Sequence, residues 1–441
     1  MNHPSRRSLL QSGLAALVAG AASGSSPSWA ASPLPLERAR QFALRPKTRD
    51  RILAGHQAIL DELKPTRSQL DRGLSLHYDS FVADMQGNVS VTYEGGLVGD
   101  RLAADRKLDR TKARTLESAY DPQWIEESRA LYAISGVRLG SEDVAHPGEN
   151  DFHSALRLLA RSNYVYERRP DLVRVSGWDD VERARREGQV AVIAHLAGVG
   201  CFAEAEDPLA NLDLFYALGV RMTQLTYIQD NKLCSSWVQE EDRGLTELGR
   251  RAVQRMNELG IMVDVAHCGP RSALEAVEAS REPVLISHTG CQSVFDDRTN
   301  EAYIRAVLAQ PYARGVTPPR KTSSRNASDD LLRAVAAKGG LVGLFVVHYT
   351  LENTPPSFAG WYRHVEHALE VAGVEHVGVG SDFGYLPGWK PSPLDWANWP
   401  YWTVGLVCRG LRDDDIRRII GGNFLRYARQ VLDKRPWGEL M

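Results

Sequence analysis

The sequence predicts an α/β fold, one (β/α)8 barrel with long insertions, on three observations. Eight short runs rich in Val, Ile, Leu and Met recur without polar/apolar alternation, the pattern of parallel strands buried on both faces. Amphipathic helical segments lie between them, as an alternating β/α chain requires. No glycine-rich phosphate loop, neither GxGxxG nor GxxxxGKS/T, follows any run, which argues against an open nucleotide-binding sheet.

The predicted strands are Ser80–Met85, Leu172–Ser176, Val190–His195, Val220–Tyr227, Ile261–His267, Val284–His288, Leu341–Val347 and Val377–Asp382. The clearest helix is Leu245–Leu259: Leu245, Leu248, Ala252, Val253, Met256 and Leu259 share a face, and Gly260 marks its end. Further helices are predicted over Asp179–Glu187, Pro270–Glu278, Ser328–Ala337, Trp361–Ala372 and Asp413–Leu432. A charged stretch, Leu36–Arg72, reads as helical by composition and places a helical segment over residues 31–79 ahead of a barrel over 80–435. Two excursions, 89–170 and 296–324, interrupt the regular spacing; connections this long are lids, binding loops or disordered. Arg298, Arg305, Arg314, Arg320 and Lys321 make the second one basic enough to meet a carboxylate, although a solvated charged loop is the commoner fate of such a stretch.

Composition narrows the function. A chain of 441 residues with 43% apolar side chains can bury a large core, and a net charge of −2 excludes a polybasic nucleic-acid binder. Residues 1–30 read as an export signal. Ser5-Arg6-Arg7-Ser8-Leu9-Leu10 opens an apolar run to Ala22, and Ser28-Trp29-Ala30-Ala31 supplies a small-residue cleavage site. The paired arginines predict the twin-arginine route and a periplasmic protein. No apolar run long enough for a membrane anchor follows the signal. Five cysteines are too few and too scattered for a disulfide scaffold.

In a barrel of this kind chemistry gathers at the carboxyl ends of the strands. Those ends carry His195, Tyr227, His267, His288 and Asp382. His267 and His288 close consecutive strands, so their imidazoles can converge on one cation. Asp382 could complete a two-His, one-carboxylate set with positions left for water, a set suited to polarising a carbonyl and acidifying that water.

From Asp213 to Arg426 the chain resembles the membrane (renal) dipeptidase family, the M19 peptidases. The resemblance rests on Leu218–Tyr227, Gly244-Leu245-Thr246 leading to Arg255–Gly260, Val263–His267, Pro283–His288, Arg325-Asn326, Gly380–Phe383 and Gly422–Arg426. It implies a barrel of the metal-dependent hydrolase type, two zinc ions, hydrolysis of dipeptides including some with a C-terminal D-residue, and a homodimer. It also implies that His267 and His288 are ligands of one zinc and that Arg325 holds the substrate carboxylate. Asp382 then stands near the scissile bond and the substrate's amino end. Tyr227 takes the place of a substrate-contacting histidine and can donate to an oxyanion.

The departures are concentrated in one half of that site. The family's first-strand His-x-Asp ligands are replaced by Gln86 and Asn88, and its bridging carboxylate by Leu196. Three such losses remove most of what balances two dications, which predicts one zinc ion rather than two, or none. His77-Tyr78-Asp79 has ligand spelling but falls too early, and a structural role is expected. His195 is expected to point away from Leu196's side of its strand and to bond backbone at the rim. Cys268 and Cys291 are expected to be buried rather than ligating. The function predicted is a periplasmic dipeptidase-like metallohydrolase acting on a small peptide or amide. The alternative is a peptidase-inactive barrel that binds or tailors a peptide-derived compound, as in the exported branch that accompanies maturation of the siderophore pyoverdine.

Overall fold

The computed structural model describes residues 34–87, 120–145, 151–300, 305, 323–352, 357–382 and 394–433. The export signal, Asn88, Arg314, Arg320 and Lys321 lie outside the described residues.

The predicted barrel is present. Among the described residues nine parallel strands form one sheet: β1 (Val82–Asp84), β2 (Val137–Ala145), β3 (Leu172–Arg174), β4 (Val190–Leu196), β5 (Val220–Gln224), β6 (Met262–Asp264), β7 (Leu285–Thr289), β8 (Leu341–Leu344) and β9 (Val377–Val379). Eight follow the order β1-β2-β4-β5-β6-β7-β8-β9. The ring closes where Met85 N donates to Val379 O and Asp382 N donates to Gln86 O, each at 2.9 Å.

The second stave differs from expectation. Leu172–Arg174 is a strand but stands off the ring, paired to the opening residues of β4, Val190 to Val192. The second barrel strand is Val137–Ala145, inside the stretch read as an excursion. Its apolar run is broken by Arg138, Glu142 and Asp143, so it lacks the signature of a strand buried on both faces. Arg138 lies at the exposed end, and Asp143 has a functional place described below.

Alternation sorts the strand residues into two layers. Ala83, Met85, Leu139, Ala191, Ile193, Met222, Met262, Leu285 and Leu341 fill the barrel. Val82, Val192, Ala194, Leu196, Val263, Ile286, Val342 and Val377 pack outward against helices. The C-terminal helix Asn423–Leu432 joins the inner layer through Phe424, Tyr427 and Val431. Tyr427 Oη donates to Pro283 O (3.3 Å), just ahead of β7, which sets this helix at the amino end of the barrel, away from the strand mouths.

That helix was expected to run unbroken from Asp413. It breaks at Gly421, where the chain leaves helical geometry between Asp413–Arg417 and Asn423–Leu432. A Cβ at Gly421 would lie 1.9 Å from Phe81 O, so the break is where the backbone docks against the start of β1. Helix Glu247–Leu259 matches expectation: Thr246 Oγ1 accepts from Gly249 N (3.0 Å) at its start, and Gly260 takes the left-handed cap (φ 73°) at its end.

Candidate active site

Two backbone distortions aim the site. Among the described non-glycine residues only Lys64, His267 and Asp382 have positive φ, and the last two (66° and 54°) are predicted site residues. Such conformations cost free energy and persist where surrounding contacts impose them. His267 is held by Trp237 N donating to its carbonyl (3.0 Å) and by Gly269 N donating to Ser235 O (2.9 Å). In β7 a register shift between Ile286 and Thr289 thrusts the Ser287 carbonyl inward, where Gly343 and Gly380 leave room for it. A shift of this kind re-aims the side chains beside it. His288 is thereby turned toward His267.

The two imidazoles meet. Their Nε2 atoms lie 3.0 Å apart, and both rings are buried. Burial, reinforced by the Arg325 charge, holds both well below the ordinary histidine range, so both are neutral. The tautomer of His288 follows from its neighbours. Ser287 Oγ donates to Asp264 Oδ2 (2.5 Å), so its lone pair must accept from His288 Nδ1–H (2.7 Å). His288 Nε2 is then unprotonated and turns its lone pair toward His267 Nε2. His267 Nδ1 has no partner, so nothing fixes its proton elsewhere.

These donors fit a zinc ion. Their 3.0 Å separation is close to the roughly 3.3 Å between two nitrogens on one tetrahedral zinc, and an imidazole ligand is held by a bond from its other nitrogen, as His288 is. Asp382 is half-buried, with Arg325, Asp143 and Asp84 as its charged neighbours; desolvation, then the two carboxylates, push its carboxyl up to about 7 against the pull of Arg325. Among the described residues no three His, Cys, Asp or Glu side chains converge as a ready-made cation site.

Arg325 is buried against the imidazole pair. Its guanidinium donates to His288 O (3.1 Å) and lies 5.3 Å from the Phe345 ring centre. Asp297 fixes its backbone, accepting from Arg325 N (3.0 Å), Asn326 N (3.3 Å) and the Ser324 hydroxyl. The second excursion thus begins by anchoring the arginine, while Arg298 pairs with Asp296. The Tyr227 ring lies against His267, 4.2 Å between ring centres and tilted by 34°.

The altered half is filled differently from expectation. Leu196 faces the outer layer. Gln86 is buried and its Nε2 donates to Asp143 (3.1 Å). His195 does not bond backbone at the rim: it lies inside the barrel, Nδ1 3.0 Å from Asp143 and Nε2 3.4 Å from Asp264. These are ion-pair contacts rather than aligned hydrogen bonds. Burial pulls this imidazole down, but the two carboxylates outweigh it and raise it to about 9. Asp143, Asp264, Ser287 and the unpartnered amide of Gln224 were not singled out in the sequence. The signal available was Asp264 and Ser287 inside the two histidine motifs.

His77 behaves as a structural residue, bonded to Ser135 O and Thr403 Oγ1 at 2.8 Å each. Cys268 faces Cys234, with sulfurs 3.9 Å apart, and Cys291 packs on His364. A groove of about 660 Å³ lined by Leu36, Phe42, Leu53, Leu60 and Tyr401 lies against the N-terminal helices, remote from these residues. No helix among the described residues is long and apolar enough to cross a membrane.

Known proteins agree with this architecture. The chain is 26% identical over 327 residues to Dipeptidase tcpJ of Claviceps purpurea, a match spanning 70% of this chain and 69% of that one. Its fold is similar to the probable dipeptidase PvdM from Pseudomonas aeruginosa (TM-score 0.61, 18% identity, 83% of this chain and 99% of that one). It is equally similar to a metallo peptidase from Rhodobacter sphaeroides liganded with a phosphinate mimic of the dipeptide L-Ala-D-Ala (TM-score 0.61, 18% identity, 80% and 100%). The family model described as membrane dipeptidase, peptidase family M19, matches residues 127–302 and 315–435. With that match over more than half its length, the chain belongs to the membrane dipeptidase family, a family of metal-dependent hydrolases.

Proposed function

We propose that the chain hydrolyses a dipeptide or a related small amide with a single zinc ion held by His267 and His288. The observation that carries this reading is the pair of neutral imidazoles facing each other at 3.0 Å with Nε2 of His288 unprotonated. Zinc bound there supplies Lewis acidity toward a carbonyl and lowers the pKa of water.

The remaining steps belong to the chain's own side chains. Arg325, buried and backed by Asp297, offers a cationic fork to the substrate's terminal carboxylate. Tyr227, packed against His267, presents a phenol that can donate to the carbonyl oxygen as negative charge develops. Asp382, with a carboxyl near 7, can take a proton at neutral pH and return it to the leaving amine. We read Asp382 as the base rather than as the third ligand, because its charged neighbours are Arg325, Asp143 and Asp84.

The test is elemental analysis of the purified protein beside a dipeptide panel that includes C-terminal D-residues, with and without chelator. About one zinc per chain and chelator-sensitive cleavage are expected, both lost in His267→Ala and His288→Ala. Zinc-free protein that cleaves nothing overturns the reading. The peptidase-inactive binding barrel then takes its place, a reading favoured by Gln86 and the outward-facing Leu196 in the altered half.

A further inference from the structure

The turn that carries His267 in its left-handed conformation is one edge of a short antiparallel ribbon. Trp237 N donates to His267 O (3.0 Å) and Gly269 N donates to Ser235 O (2.9 Å), which sets Ser236 directly opposite Cys268. Residues two apart on a strand share a face, and diagonal neighbours across a pair come within reach of each other. Cys234 therefore stands on the Cys268 face, one step along the ribbon. The two sulfurs lie 3.9 Å apart, and both residues are buried.

The backbone around each cysteine is pinned. Cys234 forms a second bridge to Leu245, Thr246 N donates to Leu233 O (2.8 Å), and Leu233 N donates to Asn231 Oδ1 (2.7 Å). On the other side Cys268 N donates to Val265 O (3.3 Å). A disulfide needs the sulfurs at about 2.05 Å, an approach of about 2 Å that lies within the swing of two Sγ atoms about χ1. The remaining cysteines are engaged elsewhere. Cys201 Sγ donates to Gly198 O (3.4 Å), Cys291 Sγ donates to His364 O (3.5 Å), and Cys408 ends the helix Trp399–Cys408.

We propose that Cys234 and Cys268 form a disulfide, a covalent staple across the ribbon that holds the His267 turn. The co-reactant is glutathione disulfide. The sulfur of one cysteine attacks it, forming a mixed disulfide and releasing one glutathione thiol; the other cysteine then displaces the second glutathione. One S–S bond breaks and one forms. The two cysteines give up two electrons and two protons, which leave on the two glutathione thiols. Because the thiols are buried in the closed fold, the exchange takes place while the ribbon is transiently open. The ring closed by the bond takes in helix Glu247–Leu259 and β6. A left-handed residue costs free energy that its surroundings must offset, and the staple adds a covalent bond to the two hydrogen bonds that impose it on His267.

The inference needs neither zinc nor hydrolysis, so its failure and that of the proposed function show in different measurements. The folded full chain is reduced, freed of reductant, and incubated with glutathione disulfide in urea just below its unfolding midpoint, where buried segments open. It is then quenched in acid and its free thiols are labelled with a maleimide under denaturing conditions. The reduced chain takes five labels. After incubation the expected product has lost two of them, and peptide mapping shows a single link from Cys234 to Cys268. Five labels, glutathione left on either cysteine without a link, or a link to a different cysteine overturns the proposal. Cys234→Ala and Cys268→Ala should each keep every remaining thiol free under the same treatment, and the wild-type map decides even if neither variant folds. Urea unfolding of linked and reduced protein is the second readout, with the linked fold expected to be favoured about 30- to 900-fold. A linked chain no more stable than the reduced one overturns the anchoring role.

Discussion

The guanidinium of Arg325 donates to the main-chain carbonyl of His288 at 3.1 Å, so the group that would grip a substrate carboxylate is tied to the backbone of the imidazole pair. On the proposed reading, carboxylate binding and carbonyl activation would therefore share β7, the strand that carries the register shift.

Arg325→Lys should separate charge from fork geometry. Lysine keeps the positive charge but cannot offer parallel donors, and hydrogen bonds to charged groups contribute about 1.5–3 kcal/mol. We expect kcat/KM for dipeptides to fall roughly 10- to 100-fold, mostly through KM, and Arg325→Ala to fall further. Steady-state kinetics on one good dipeptide and on its C-terminal amide check this. The amide should lose little between wild type and variant, and an equal loss for both substrates removes the assigned role.

Ser287→Ala tests the hydroxyl between Asp264 and His288. Removing it leaves His288 Nδ1 without its acceptor and Asp264 Oδ2 without its donor. Loss of a partner behind a metal ligand typically costs 10–100-fold in affinity. We expect zinc affinity, measured by competition with a chromophoric chelator, to weaken by about that factor while the fold is retained. Unchanged affinity would show that the hydroxyl does not orient the ligand.

Much of this arrangement could be read in the sequence, and what could not has a physical cause. His267 and His288 stood out because each closes an apolar run, and such runs are what parallel barrel strands look like. The strand carrying Asp143 was hidden by that very residue, together with Arg138 and Glu142, because charges inside a strand erase the apolar signature. Alternation set His195 and Leu196 on opposite sides of their strand but gave the site's side to Leu196, whereas His195 points inward and Leu196 outward. The partners of His195 were not visible, since they come from β2 and β6 and depend on register shifts such as the one between Ala194 and His195. Asp382 was legible as a site residue, but its charged neighbours Arg325, Asp143 and Asp84 depend on how the ring closes.

Gly380→Ala probes the crowding that aims His288. A Cβ at this position would lie 1.7 Å from Ser287 O, a backbone atom that cannot swing aside. Overpacking of this sort costs about 1–3 kcal/mol. Urea unfolding should show a lower midpoint by that amount, and zinc binding should weaken with it because Ser287 must shift. A variant as stable as wild type would mean that the inward thrust of β7 is softer than the close approach implies.

Stability should depend on pH from both sides, with His195 governing the alkaline limb. His195 holds its proton more tightly folded, at about 9, than an unfolded histidine does near 6.5. Its contribution is fully present below pH 6.5 and is lost as pH rises through 9, on the order of 3 kcal/mol in all. His56, His77 and His364 act in the opposite sense. Burial lowers each to about 4, so their contribution is present above 6.5 and is lost as pH falls toward 4. Greatest stability is therefore expected near pH 6.5–7. Urea unfolding from pH 5 to 10, run in parallel on wild type and His195→Gln, isolates the alkaline term, because tyrosines and cysteines titrate alike in both. The wild-type advantage over the variant should shrink between pH 7 and 9.5. An advantage that stays constant across that range would show that His195 carries no charge in the fold.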